Sequence, residues 1–207
     1  GVKFVRAGGP DDDFYMATDG KGGFWFRHVE YQGFNSQRDL FGALACCATR
    51  QPMTPEQEYA LESLWHEIWH NRQTGMDLAA KLPKRHPARL FAETTNQVVA
   101  RLTYPRFVER LGGVAGHQDW VLARGYGYAP FVQRFLRIVS VLGLKIHDLA
   151  GDLASLNVRM DFLRGSEYVA RLLAERAGLA RGPIQAALDA LSADDLVFAA
   201  RLGGIRS

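Results

Sequence analysis

The sequence predicts an α+β protein that is mostly α-helical, with a small β-hairpin or sheet at the N-terminus, a helical core and further C-terminal helices. Strand-like aromatic runs and Gly/Asp turns occur only in the first 35 residues, and helical periodicity dominates from Ser36 onward. The 207 residues are 47% hydrophobic and 23% charged, as in a folded domain. We expect one domain over residues 1–145 (strands in 1–35, helical core in 36–145) and a helical subdomain over 146–207.

The N-terminal elements follow from local signals. Two aromatic runs, at residues 14–16 and 24–26, predict strands joined by a turn at Asp19-Gly20. Ser36 is expected to cap a helix that runs to about Thr49. Residues 54–57 have the sequence Thr-Pro-Glu-Gln, which is typical of an N-cap, a proline in the first turn and a capping box. They predict a second helix that ends near Gln73.

The rest of the chain is predicted to be helical, with two irregular stretches. Residues 81–87 are basic and contain two prolines, so we expect a loop there. A long helix should follow Pro87 and break at Pro105, with a turn at Gly112. Residues 125–130 are predicted to form a second loop. Further helices are expected near residues 131–142, 146–156, 166–177, 182–191 and 193–201.

Charge and cysteine content argue against several classes of protein. The net charge is +3, and the 14 basic and 10 acidic residues of 101–207 are scattered, which does not favour a nucleic-acid partner. No apolar run reaches the length of a membrane span. Cys46 and Cys47 are adjacent and have no other partner, so we expect free thiols in the reducing cytoplasm. The chain begins with Gly rather than Met, so we expect either a fragment of a larger polypeptide or a processed product.

The second predicted helix contains His-Glu-Ile-Trp-His at residues 66–70. Histidines four residues apart project from one helix face, so His66 and His70 can reach one metal ion. Glu67 lies further round the helix, where it can take a proton from a metal-bound water without being a ligand. Because Leu61 and Ile68 lie on the opposite face, we expect that side to be buried and the histidines to face a cleft.

This motif on a helix resembles the zincin superfamily of zinc metallopeptidases. The resemblance covers residues 66–70 and implies a catalytic Zn²⁺ with three protein ligands. The metzincin extension is not met, because Gln73 and Met76 stand where its Gly and third His would be. The gluzincin branch takes a Glu from the following helix. The gluzincin resemblance therefore implies Glu93 as the third zinc ligand. It also implies that Gln97 stands at the position that supports the zinc ligands by hydrogen bonding.

Two other residues stay open as the third ligand. His86 is placed like the third ligand of SprT-like proteases, which act on DNA-bound proteins. His117, in a Gly-His-Gln-Asp stretch, is the second alternative.

We therefore expect a zinc metallopeptidase that hydrolyses a peptide or protein substrate. Glu67 would activate the zinc-bound water and pass the proton to the leaving amine, while a further donor stabilises the oxyanion. Tyr128, in a glycine-flanked loop, is the expected donor, and Tyr126, His117 and His147 are the other candidates. Residues 23–31 are expected to supply an edge strand that binds extended substrate through its main chain.

Two other functions remain open from the sequence. One is a catalytically inactive structural or interaction module that keeps the metal site, and the other is a SprT-like DNA-associated protease. Residues 54–57, the motif and residues 92–97 also resemble metallopeptidase-like modules of large phage and mobile-element proteins, which suits an embedded module.

Overall fold

The computed structural model confirms a mostly helical α+β protein with its strands near the N-terminus. It describes residues 3–6, 15–18, 23–26, 30, 32–73, 81–83 and 85–205. The strands are β1 (Lys3–Arg6), β2 (Met16–Thr18) and β3 (Gly23–Phe26). The helices are α1 (Ser36–Thr49), α2 (Pro55–His70), α3 (Pro87–Arg110), α4 (Gln118–Arg124), α5 (Ala129–Val141), α6 (Ala150–Arg159), α7 (Gly165–Ala177), α8 (Arg181–Asp189) and α9 (Asp195–Gly203), with short 3-10 helices at Ile146–Leu149 and Phe162–Arg164.

The sheet has three strands, in the order β1-β3-β2. β2 pairs antiparallel with β3, as the predicted hairpin requires, while the turn at Asp19-Gly20 lies outside the described residues. β1 was not predicted and runs parallel to β3. Because β3 is paired on both sides, the expectation that residues 23–31 form an edge strand is wrong for residues 23–26. Residues 27–29 and 31 lie outside the described part. The edge strand that packs on α2 is β2.

Helix α1 has the predicted bounds but a different cap. Asn35, rather than Ser36, is its N-cap, and its side-chain oxygen accepts a hydrogen bond from the backbone N–H of Arg38 at 2.9 Å. An Asn side chain one residue earlier satisfies the free N–H groups of the first turn equally well. Ser36 is instead the first helical residue.

Helix α2 begins as predicted and ends three residues earlier than predicted. Its capping box is complete, because Thr54 accepts from the Gln57 backbone and the Gln57 side chain accepts from the Thr54 backbone. The helix ends at His70. The Asn71 side chain then donates to the Glu67 carbonyl and to the Thr18 hydroxyl of β2, both at 2.9 Å. These two bonds fix the end of α2 against the sheet.

The predicted break of α3 at Pro105 is wrong, because the helix continues to Arg110. An internal proline costs about 3 kcal/mol, since it removes a backbone donor and crowds the preceding turn. Tyr104 and Val108, on either side of it, are fully buried, and each such side chain contributes about 1.5–3 kcal/mol on burial. The expected turn follows the helix, with Gly112 at φ +88°.

The C-terminal half agrees with the predicted helices, with two differences. The short helix α4 was not predicted, and α5 already begins at Ala129, so the loop covers residues 125–128 rather than 125–130. Over the described residues, no helix combines the length and apolar character needed to cross a bilayer.

The described elements pack in two units. The first comprises Gly1–Arg72 with Ala100–Gly127, and the second comprises Gln73–Val99 with Tyr128–Ser207. The continuous helix α3 contributes residues to both. This division differs from the predicted boundary at residue 145, because helical periodicity shows which face is apolar but not which helices share a core. The second unit's buried side chains include Val132, Phe135, Ile138, Leu153, Val169, Leu173, Ile184 and Phe198.

In the first unit, α2 and α3 are tied together through one hydroxyl group. The indole N–H groups of Trp65 and Trp69 both donate to Thr103 Oγ1, at 2.8 and 3.3 Å. The Trp65 ring also stacks on Phe107, with centroids 4.7 Å apart. These contacts hold the second half of α3 in one register on α2.

Replacing Thr103 with Val is expected to lower the free energy of unfolding by about 1–3 kcal/mol, because two indole donors lose their acceptor while the shape is kept. Thr103→Ser, which retains the hydroxyl, should lose only about 1 kcal/mol for the missing methyl group. Urea unfolding followed by tryptophan fluorescence measures both. Equal stability of the Val variant and the wild type would contradict this role.

Candidate metal centre

One face of α2 carries four titratable side chains at intervals of four residues. They are Glu58, Glu62, His66 and His70, and their exposed fractions are 1%, 0%, 5% and 6%. On the opposite face, Leu61 is fully buried as expected, and Trp65 and Ile68 are half-buried against the core. The expected cleft at the histidines stays a prediction. The sequence analysis missed Glu58 and Glu62, although their i, i+4 spacing with the histidines was a visible signal.

The two histidine rings of the motif converge. Nε2 of His66 and Nε2 of His70 are 2.9 Å apart, and the ring planes are 86° apart with centroids separated by 4.5 Å. In a tetrahedral zinc shell two nitrogen ligands lie about 3.3 Å apart, given Zn–N distances of about 2.0–2.1 Å. The observed 2.9 Å is a hydrogen-bond distance between the two rings, and it is about 0.4 Å shorter than the separation that one shared zinc ion would set.

Glu93 completes a group of three candidate ligands. One ligand atom from each of His66, His70 and Glu93 lies within 4.8 Å of the other two, and Glu93 is half-buried. Helix α3, which carries Glu93, is continuous from Pro87 to Arg110.

The donor set suits a divalent transition metal. Two imidazole nitrogens and one carboxylate oxygen are the ligand types that catalytic zinc sites use, with a fourth position left for water or substrate. A divalent ion would pair with all three groups in their deprotonated forms.

Glu67 lies beside this group but outside it. Its Oε1 atom is 4.0 Å from Nε2 of His66, and its exposed fraction is 8%. A carboxylate at this distance is placed to accept a proton from a water near the three ligands.

Comparisons with protein-family profiles, with curated proteins and with solved structures found no match for this chain. The resemblance to zincins therefore stays a prediction that rests on residues 66–70 and the position of Glu93.

Of the described residues, the candidate ligand group includes neither His86 nor His117. The ring of His86 accepts a hydrogen bond from the backbone N–H of Ala88 through Nδ1, at 3.3 Å, and so caps the first turn of α3. His117 Nε2 lies 3.1 Å from the Met53 carbonyl. Both alternatives for the third ligand thus make other structural contacts, one within the chain segment of His86 and one from His117 to the distant residue Met53.

The other end of the α2 face is a buried structural network. The Glu58 carboxylate accepts hydrogen bonds from the Tyr104 hydroxyl at 2.9 Å and from the backbone N–H groups of Gly116 and His117 at 2.6 and 3.0 Å. Burial, and then the charge of Glu58, raise the pKa of Tyr104, so its hydroxyl stays protonated and donates. Glu58 therefore fixes α2 to α3 and to the loop after it.

The loop at residues 125–128 is held by a buried arginine that the sequence analysis missed. The guanidinium of Arg101 donates to the carbonyls of Gly125 and Gly127, both at 2.8 Å, and the Gly127 N–H donates to the Tyr59 hydroxyl at 2.6 Å. Tyr128 follows at φ +52°, an uncommon conformation for a residue with a side chain. Its assignment as oxyanion donor stays a prediction.

The other oxyanion candidates have different surroundings. Tyr126 packs among the rings of Phe34, Tyr59 and Trp120, with the Phe34 ring stacked at 5.5 Å. Burial raises its pKa, so its phenol is protonated at neutral pH. His147 is exposed in the 3-10 helix that precedes α6.

Proposed function

We propose that this protein is a zinc-dependent metallopeptidase that hydrolyses peptide bonds in a peptide or protein substrate. His66, His70 and Glu93 would hold Zn²⁺, and Glu67 would act as the general base. The observation that carries the proposal is the approach of three ligand atoms to within 4.8 Å, next to an acid that is not part of the group.

Each residue has a distinct role in this reaction. Bound zinc supplies a Lewis acid and lowers the pKa of a coordinated water toward neutrality. Glu67 would accept a proton from the attacking water and deliver it to the leaving amine. Tyr128 would donate a hydrogen bond to the developing oxyanion. The backbone of the substrate would pair with the outer edge of β2, which Asn71 fixes to the end of α2.

Metal binding is the first test of this proposal. Purified protein is expected to contain one equivalent of zinc by mass spectrometry, in preference to iron or manganese. Glu93→Ala should weaken zinc binding about 100-fold. Four-ligand zinc sites bind with about 10–16 kcal/mol, so one ligand contributes about 3 kcal/mol. Competition with a zinc chelator measures the change.

His86→Ala is the matched control, because it removes the SprT-like candidate ligand and should leave zinc affinity unchanged. Loss of zinc from His86→Ala, with zinc retained in Glu93→Ala, would replace the gluzincin-like shell by the SprT-like one. A wild-type protein that binds no zinc would overturn the proposal.

The alternative functions are distinguished by later measurements. A protein that binds zinc but cleaves no labelled unfolded protein would be the inactive module. Salt-dependent DNA binding would favour the DNA-associated protease.

Cys46 and Cys47 are both free thiols, which is compatible with the proposed reducing, cytoplasmic location.

A further inference from the structure

A chain of three side-chain amides runs through the second unit beside the Glu93 turn of α3. Gln73 Nε2 donates to Asn157 Oδ1 at 2.7 Å, and Asn157 Nδ2 donates to Asn96 Oδ1 at 2.9 Å. Asn157 lies on α6, and both Asn157 and Asn96 are almost completely buried. The chain therefore connects the segment after α2, helix α6 and helix α3.

The central residue uses both ends of its amide. Asn157 accepts a hydrogen bond with its oxygen and donates one with its nitrogen. An apolar side chain of the same size could do neither. Burying an amide without hydrogen-bond partners is strongly unfavourable. The three side chains therefore stabilise the backbone arrangement in which their hydrogen bonds form, relative to arrangements in which these bonds are broken. Such a connection specifies position to a degree that apolar packing alone does not.

The ends of the chain lie close in sequence to two of the three candidate ligands. Asn96 is three residues after Glu93 on the same helix, which places the two side chains on neighbouring positions of one face. Gln73 is three residues after His70, in the short turn that follows α2. The amide chain thus restrains the turn that carries Glu93 and the segment that leaves the histidine helix.

From this arrangement we propose that Asn157 is a positioning residue of the metal centre. It holds the Glu93 turn of α3 in a fixed position relative to Gln73, the residue three positions after His70. The inference rests on the proposed metal site and assigns a role in it to a residue 64 positions beyond Glu93 in the sequence. Groups that bond directly to a metal ligand commonly change metal affinity 10- to 100-fold when they are removed. Asn157 bonds to Asn96 rather than to a ligand, so we expect an effect at the lower end of this range.

The test uses two variants that disturb the chain and one matched control. Asn157→Asp still accepts from Gln73 but cannot donate to Asn96. Gln73→Met keeps a half-buried side chain of similar length and removes the bond to Asn157, so it should fold even if the first variant does not. Thr95→Val is the control, because Thr95 is equally buried on α3. Within the described part of the chain, its hydroxyl bonds to carbonyls of its own helix, those of Phe91 and Ala92.

The measurements are Zn²⁺ affinity by chelator competition and the visible spectrum of bound Co²⁺, with urea unfolding as a separate record of stability. We expect affinity to fall about tenfold in Asn157→Asp, by a smaller factor in Gln73→Met and less than twofold in Thr95→Val. The Co²⁺ bands should shift in the first two variants alone.

Two results would overturn the inference. Folded Asn157→Asp and Gln73→Met proteins with wild-type affinity and spectrum would show that the amide chain serves stability only, while the metal proposal survives. Failure of the wild type itself to bind Zn²⁺ or Co²⁺ would overturn both proposals together.

Discussion

Glu67→Gln is expected to retain one equivalent of zinc and to lower the rate of peptide hydrolysis about 100- to 10,000-fold, the range that a general acid–base group contributes. The amide has nearly the shape of the carboxylate, and Glu67 is outside the ligand group, so metal binding should survive. An amide does not accept the proton that the attacking water must lose, so the chemical step should fail. Single-turnover cleavage of a labelled unfolded protein measures the loss.

Glu56→Gln is the matched control for this experiment. Glu56 lies in the first turn of the same helix and is only half-buried, so the same chemical change there should leave both zinc content and hydrolysis unaltered. Undiminished hydrolysis by Glu67→Gln would remove Glu67 from the reaction and leave the metal site without its proposed base.

Glu58→Ala should produce the largest loss of stability of any substitution on the α2 face, about 3–5 kcal/mol. It leaves the Tyr104 hydroxyl and two backbone N–H groups without their shared acceptor, and hydrogen bonds to a charged group are worth about 1.5–3 kcal/mol each before non-additivity. Glu58→Gln keeps an acceptor oxygen and should cost roughly half as much. Urea unfolding provides the values.

Glu56→Gln again serves as the reference, with an expected change of about 0.5 kcal/mol or less for a weakened first-turn charge. If Glu58→Ala changed stability by no more than this reference, the buried network would not hold α2 against the Gly116 loop.

Local signals account for what the sequence predicted well. The start of α2 depends on Thr54 and Gln57, which are separated by one helical turn, so the capping pattern alone was sufficient. The convergence of His66 and His70 has the same origin, because a four-residue spacing fixes the relation of two side chains on any α-helix. Glu93 was expected only from the resemblance to gluzincins, and the structure places it in the group.

Features that depend on tertiary packing were not predictable from the same patterns. The burial of the histidine face required knowing what covers it, and the sequence indicated only which face of α2 is less polar. Helix α3 continues through Pro105 because the burial of Tyr104 and Val108 outweighs the energetic cost of a proline inside a helix. Asn157 had no local signal at all, because both of its partners are more than 60 residues away.

The unbroken course of α3 limits how its length can vary. Glu93 and Thr103 are ten residues apart on one helix, so the helix rises about 15 Å between them. Inserting or deleting a single residue between them would turn Glu93 by about 100° and shift it about 1.5 Å along the axis. Related chains that use the same ligands should therefore conserve this count, and gain or lose residues in their loops instead.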